Sequence, residues 1–468
     1  MDRTKHLNSI NLNETGKCVL YVMSRDQRVA DNHALISAQQ RALKLNLPLA
    51  VVFCLQKNTG YRAREHYTFM LDGLRQVEDK LNKLNIPFIM LIGNAFERLS
   101  GIFHHTNPES VFFDLNPLIG YQKLLQKLSS LAKFPIYVVD NHNIVPVWVA
   151  SDNKQVGAYT LRPRIHRLIG EYLVEPSSLK KHPIKWPGKV MKMSELDNTI
   201  QSIVTKIKSN EVKIQEPTGE NEALKKLNKF IKETMPNYGL NKNNPTFNSQ
   251  SGLSIYLHFG QLSSLRVALE IQKYAFKNKL ELGILNSPKM PLGGDGLQSS
   301  IDAFLEELIV RKELADNFCY YEQNYCSTKG ASVWAQQTLN DHAKDEREYI
   351  YSFEELRIAK THDNAWNSAQ RQLTNTGKMH GYMRMYWAKK ILEWTENVDT
   401  ALEYAIRLND FYSNDGGDPN GYAGIMWAIC GIHDRPWFDR PVYGKIRYMN
   451  YAGLNRKFDL SSYINTWQ

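Results

Sequence analysis

Lys378–Trp394 reads KMHGYMRMYWAKKILEW. The spacing predicts a helix on which Arg384, Trp387, Ile391 and Trp394 share one face. Two turns separate the indoles, roughly 10 Å along the axis. One arginine beside two large aromatics is unusual for a plain core stripe. Two uses fit the pattern. In one, Arg384 pairs with a buried carboxylate and the tryptophans only pack. In the other, the indoles form a relay along which electrons hop, with Trp366 in the preceding helical segment THDNAWNSAQRQL as a third station.

Other residues invite chemistry less pointedly. Glu307 belongs to an amphipathic segment whose core stripe is Ile301, Phe304, Leu305, Leu308 and Ile309. It faces away from that stripe only in part, and Arg311, one turn on, is a ready ion-pair partner. Ser251, Leu253 and Ser254 stand just before a helical segment, with Tyr238 upstream. Hydroxyls at a helix start suit an anion; equally, they suit an N-cap that stabilises by about 1 kcal/mol. Gln298 sits in the Gly-rich stretch GGDGLQSS. Asp418 and Asn420 lie in or beside the turn-like run Gly416-Gly417-Asp418-Pro419. Neither G-x-G-x-x-G nor a P-loop lysine motif occurs.

Five cysteines are scattered with no Cys-x-x-Cys pair. Free thiols and no metal site are expected, in a reducing compartment: cytoplasm, or nucleus in a eukaryote. No apolar run approaches the roughly 18–20 residues that span a bilayer, and the first residues lack a signal-peptide core, so the chain is expected to be neither membrane-bound nor secreted. The net charge of +10 suits a polyanionic partner such as nucleic acid.

These residues need elements to position them, and 468 residues are too many for one ordinary core. The first third alternates buried β-branched runs with helical segments. Strands are expected at Cys18–Met23, Leu49–Cys54, Pro87–Ile92, Val111–Asp114 and Ile136–Val139, with helices at His33–Leu45 and Tyr67–Leu84. This is an α/β domain with a Rossmann-like parallel five-stranded sheet, which favours ligands at the carboxyl ends of strands. Periodicity fades from about Pro176, where Lys, Ser and Pro accumulate, and helical patterns dominate afterwards. The expected plan is a flexible arm (1–16), the α/β domain (17–175), a linker (176–220) and an all-α domain (221–468).

HGYMRMYWAKKILEW followed by LNDFYSNDGGDPNGYAGIMWAICGIHDRPW resembles the catalytic domain of class II cyclobutane pyrimidine dimer photolyases. So do YVMSRDQRVADNHAL (Tyr21–Leu35), DNHNIVPVWVAS (Asp140–Ser151), SGLSIYLHFGQLS (Ser251–Ser263), FLEELIVRKELADNFCYY (Phe304–Tyr321) and KIRYMNY (Lys445–Tyr451). The resemblance runs from about residue 17 to 465 and fails only in the linker and the terminal arm. It implies a light-driven lyase acting on pyrimidine dimers in double-stranded DNA, as a monomer, with the helical domain binding FAD that is active in its reduced anionic form. The α/β domain would be of the antenna type, with deazaflavin or folate as alternatives for a second chromophore.

The resemblance also implies roles. Tyr238, Ser251, Leu253, Ser254, Gln298, Arg384, Asn409, Asp415 and Asp418 would hold FAD, with Arg384 and Asp415 as a buried salt bridge beside its ring and Asn409 near flavin N5. The better-known class I enzymes carry that asparagine where Gly421 stands here. Glu307 would hydrogen-bond the dimer, which is flipped into the pocket. Met385 and Trp427 would form a pocket wall, and Trp437 and Arg447 would fill the gap left in the duplex. Trp387, Trp366 and Trp394 would relay electrons to the flavin. Two alternatives within the superfamily are a signalling cryptochrome and a (6-4) photolyase, the latter needing pocket histidines such as His258, His362 or His380.

Overall fold

The computed structural model describes residues 3–56, 60–287, 289 and 295–468. Six strands form one sheet: β1 (Thr4–His6), β2 (Cys18–Met23), β3 (Leu49–Leu55), β4 (Phe88–Ile92), β5 (Pro108–Asp114) and β6 (Ile136–Val139), in the order β1-β6-β5-β2-β3-β4. The pairs β6-β5, β5-β2, β2-β3 and β3-β4 are parallel. Every residue of β2 and of β5 is buried, because helices cover both faces. Such strands read as unbroken apolar runs instead of alternating ones.

The sixth strand is a departure from the five expected. β1 pairs antiparallel with β6, Thr4 opposite Val139 and His6 opposite Tyr137. Beside it, the buried Arg3 guanidinium donates to the carbonyls of Asp140, Asn143 and Ile144. The amino-terminal arm, expected to be flexible, is therefore pinned at its start. Thr, Lys and His form a polar triplet with no strand signature, so edge pairing was invisible in the sequence.

The run expected to be a linker carries a short 3₁₀ turn, Met193–Leu196, and the helix Asp197–Val204. Met193 and Ile200 anchor it, fully buried. Beyond it, the described residues form helices and no strand. Buried charge pairs join the helical part to the α/β part. Arg25, just after β2, makes two hydrogen bonds of 2.8 and 2.9 Å to Asp316, and Arg162 makes two of 2.9 and 2.6 Å to Glu306. Losing one partner of such a pair typically costs about 3–5 kcal/mol. All five cysteines are free thiols.

Candidate functional site

The tryptophans are placed by two helices, Asn364–Thr376 and Gly381–Glu393. Asp363 fixes both. Its Oδ1 accepts from Trp366 N at 2.9 Å as the N-cap of the first helix, while its Oδ2 accepts the Tyr386 hydroxyl of the second. Gly377, at φ 68°, closes the first helix in the left-handed conformation that glycine tolerates. The result wedges Trp366 between the other two indoles. Trp366 and Trp387 stack at 6.3 Å with 8° between planes; Trp366 and Trp394 meet edge-on at 5.8 Å. Trp366 Nε1 donates to Trp387 O at 3.0 Å, and Trp387 Nε1 to Gln370 Oε1 at 2.8 Å. Trp366 thus takes the middle of the stack although it comes from a different helix.

At the Trp387 end, Arg384 is half-buried on the same helix. The expected contact salt bridge is not formed. Asp415 takes its hydrogen bond from Ser413 Oγ, and Arg384 acts on it through space without a contact ion pair among the described residues. Burial pushes the Asp415 carboxyl up, but the Arg384 charge and the Ser413 hydroxyl outweigh burial and hold it below the usual carboxylate range. Asn409 is buried on the helix Val398–Tyr412, with Nδ2 3.0 Å from Asp410 Oδ1. A Cβ on Gly421 would lie 2.9 Å from that Nδ2. Asp418 caps the helix Pro419–Cys430 through Asn420 N and accepts His258 Nδ1 at 2.9 Å, with Arg25 3.9 Å away.

Around Ser251 the side-chain cap that the sequence allowed is not formed. The helix Ser254–His258 has no side-chain cap, Ser254 is exposed, and Ser251 Oγ only accepts from Leu253 N at 3.3 Å. A Cβ on the intervening Gly252, at φ 67°, would strike Lys226 Cε at 2.8 Å and Nζ at 3.2 Å. Sequence reading missed Lys226 because it lies on another helix, Glu220–Lys229, among several lysines. Tyr238 is buried against Phe230 and Phe304. Gln298 spends its amide on Glu281 O and Asp302 Oδ2, at 2.7 and 2.9 Å. Gly293 and Gly294 of its Gly-rich stretch lie outside the described residues.

Glu307 occupies a π-helical turn, Glu306–Arg311, and is exposed while Glu306 and Leu308–Val310 are buried. A widened turn rotates one carboxylate outward from an otherwise buried run. Arg311 is not its partner: Arg311 Nε lies 3.3 Å from Glu306, whereas Glu307 pairs with Lys242 at 3.1 Å. Gln250 Nε2 links Lys242 O to His380 Nε2, both at 3.1 Å, so these groups share one neighbourhood. His380 also caps the Trp387 helix through Tyr382 N, and burial pushes its imidazole down to about 4.

Met385 and Lys389 are one turn apart. The Lys389 ammonium lies 4.8 Å from the Trp427 ring centre and donates to Ala428 O at 2.9 Å. Arg447 stands 6.0 Å from Trp427 and 4.3 Å from Trp437, braced by two hydrogen bonds to Asp434 of 2.7 and 3.0 Å. Trp437 is 43% exposed and its neighbour Phe438 83%. Sequence reading missed Lys389 and Phe438, which differ from ordinary core and loop residues only by their surroundings.

A cavity of about 700 Å³ opens at the carboxyl ends of β2 and β3, against the helical part, and Asp418, expected to contact the cofactor, is part of its lining. Met23, Leu55 and Tyr61 line one side; His258, Asp410 and Tyr422 line the other. It flanks the point where the sheet order reverses between β2 and β5, the place where open α/β sheets hold ligands. Asp410, which sequence reading passed over, faces this cavity while its neighbour Asn409 meets Gly421.

The chain shares its fold with the bacterial class III photolyase of Agrobacterium tumefaciens, on which it superposes with a TM-score of 0.69 at 18% identity over 98% of this chain and 88% of that one. Residues 19–183 match the DNA photolyase family. A deoxyribodipyrimidine photo-lyase of Potorous tridactylus is 42% identical over 97% of this chain and 82% of its own length. One of Arabidopsis thaliana is 43% identical over 97% and 89%. The chain belongs to the DNA photolyase family. No helix among the described residues is long and apolar enough to cross a membrane.

Proposed function

We propose that this protein is a class II photolyase, a carbon–carbon lyase that uses light to split cyclobutane pyrimidine dimers in double-stranded DNA. The observation that supports it best is the stack Trp387–Trp366–Trp394, which runs from the neighbourhood of Arg384 towards the surface within a chain of this family. The domain division proposed is 17–175 for the α/β unit and 221–468 for the helical unit, joined by 176–220.

The residues present fit FAD in the helical unit. Gly421 lets the Asn409 amide approach the helix Pro419–Cys430, where a Cβ would meet it at 2.9 Å, and the uncapped Ser254 helix offers N–H groups, hydroxyls and Lys226 to phosphates. Reduced FAD, when bound there, supplies the electron that light drives onto the dimer and that returns once the ring has opened. The chain's own residues do the rest. Arg384 sets a positive field that favours a reduced, anionic ring, and Asp415 balances it. Asn409, held by Asp410, would offer its amide to the ring. Glu307 accepts or donates a hydrogen bond to the flipped dimer, against Met385 and Trp427. Trp437 and Arg447 occupy the gap in the duplex. The 700 Å³ cavity is the place proposed for a second chromophore, deazaflavin or folate.

The test is repair of a dimer-containing oligonucleotide under blue light, with a dark control and a (6-4)-lesion control. Repair only in light and only of the cyclobutane dimer supports the reading; repair of the (6-4) lesion, or of neither, overturns it.

A further inference from the structure

The indole stack does not stop at Trp394. Trp394 is buried, and two rings meet its outer edge: Tyr351 at 5.6 Å and His362 at 5.1 Å. The backbone fixes this arrangement, since Tyr351 N donates to Trp394 O at 3.0 Å. The Tyr351 phenol is 2.7 Å from His362 Nδ1 and accepts the His362 backbone N–H at 3.0 Å. In the Nε2–H tautomer of His362, the phenol's own O–H donates to Nδ1. His362 then stacks on Tyr349 at 3.8 Å with 20° between planes, and Tyr349 is exposed.

We propose that Tyr351, with His362 as its proton acceptor, is the outermost station of the electron relay. The inference rests on the reading of Trp387, Trp366 and Trp394 as that relay. A tyrosine gives up an electron readily only if its proton leaves at the same time, and Tyr351 has a base in hydrogen-bond contact. In the step, one electron passes from Tyr351 to one-electron-oxidised Trp394, which returns to its neutral indole. The phenol proton moves to His362 Nδ1, leaving a neutral tyrosyl radical and an imidazolium. A thiol reductant in solution later returns the electron, and His362 returns the proton.

Two features drive this step outward. The Lys390 ammonium lies 5.5 Å from the Trp394 ring centre, a position that disfavours positive charge on that indole, although Glu393 shares its charge. His362 is exposed, so its imidazolium is solvated. Once the proton has moved, electron return from the flavin side requires the proton to come back, which lengthens the life of the charge separation.

The experiment is flash photolysis of the FAD-loaded full chain, read by transient absorption and by electron paramagnetic resonance of the radical. The expected result is a tyrosyl radical in the wild type. Tyr351→Phe should lose it and end on an indolyl radical that recombines faster, with a lower yield of reduced flavin in the presence of thiol. His362→Phe, which keeps a ring in the stack but removes the base, should lose the tyrosyl signal as well. Trp387→Phe tests the underlying relay: it should give neither radical. If Trp387→Phe abolishes radicals but the wild type ends on an indolyl radical with the lifetime of Tyr351→Phe, the relay stands and the tyrosine station is overturned. If Trp387→Phe leaves the radicals intact, the relay itself falls.

Discussion

Asn409 and Gly421 occupy one space from two helices: the amide nitrogen of Asn409 would lie 2.9 Å from any Cβ at position 421. Glycine inside the helix Pro419–Cys430 costs roughly 0.5–1 kcal/mol relative to alanine, so the missing methyl group has a local reason. That reason is the buried Asn409 side chain, locked to Asp410. Gly421→Ala is expected to displace the Asn409 amide while helix propensity offsets part of the steric cost. The outcome should be a melting temperature changed by a few degrees at most, with a clear change in the absorption spectrum and air-oxidation rate of bound reduced flavin. An unaltered flavin with an unaltered melting temperature would show that Asn409 does not meet the ring.

Glu307 is 48% exposed and its ion pair with Lys242 is of the surface kind, worth about 0–1 kcal/mol. Glu307→Ala should therefore leave the fold intact. A hydrogen bond to a charged group contributes about 1.5–3 kcal/mol, so loss of that bond to the dimer radical predicts a drop in repair yield of about ten- to a hundredfold. Affinity for dimer-containing DNA should fall less. Equal losses in both, measured by binding and single-turnover repair on the same oligonucleotide, would make Glu307 a positioning residue.

The sequence showed most of what regular burial writes into it. Cys18–Met23, Ile136–Val139 and His33–Leu45 have the bounds expected, and the core stripe Ile301, Phe304, Leu305, Leu308 and Ile309 is buried as a set. What it concealed depends on partners distant in the chain. Thr4–His6 becomes a strand only because β6 offers a free edge. Arg311 turns to Glu306 because a π-turn, with no sequence signature, rotates Glu307 away. Arg384 lies on a helix and Asp415 in a turn that no periodicity relates, so their separation could not be read. Trp366 takes the middle of the stack because Asp363 ties its helix to Tyr386.

Lys389 gives a pH test. Burial lowers its ammonium from 10.5 to about 7, with Arg447 adding to the effect and Asp434 opposing it. Between pH 7 and 10.5 the unfolded chain binds this proton and the folded chain does not. Stability must therefore rise with pH across that window, and the penalty is fully present below its lower end. Lys389→Met should remove this contribution. The urea midpoint of the variant, compared with wild type at the two ends of the window, should gain most at the acidic end. A constant difference at both ends would mean that Lys389 keeps its charge in the fold.

Arg447 is braced by Asp434 beneath the exposed Trp437. If it fills the unstacked gap, Arg447→Ala should lower the preference for dimer-containing over intact duplex. The slope of log affinity against log salt should stay as it was. An arginine that only neutralises a phosphate would instead reduce that slope by about 1 and weaken both duplexes alike. Titrations of both duplexes at several salt concentrations separate the two outcomes.

Trp366 is the residue of the proposed relay whose loss should be most telling. It is fully buried, stacked on Trp387 and edge-on to Trp394, so both hops of that relay would pass through it. Without it, the remaining indoles stand two helical turns apart, roughly 10 Å along the axis. Phe in its place keeps most of the ring but is far harder to oxidise. It also gives up the Nε1 bond to Trp387 O. The stability cost should stay below the about 3–5 kcal/mol of truncation to alanine. Trp366→Phe is expected to abolish light-driven reduction of oxidised FAD in the presence of a thiol. When the flavin is reduced chemically beforehand, repair of the dimer should continue at close to the wild-type yield, because that electron travels between flavin and dimer and not through the indoles. Photoreduction at the wild-type rate in this variant would mean that the tryptophans only pack, and loss of repair even after chemical reduction would mean that Trp366 shapes the flavin site.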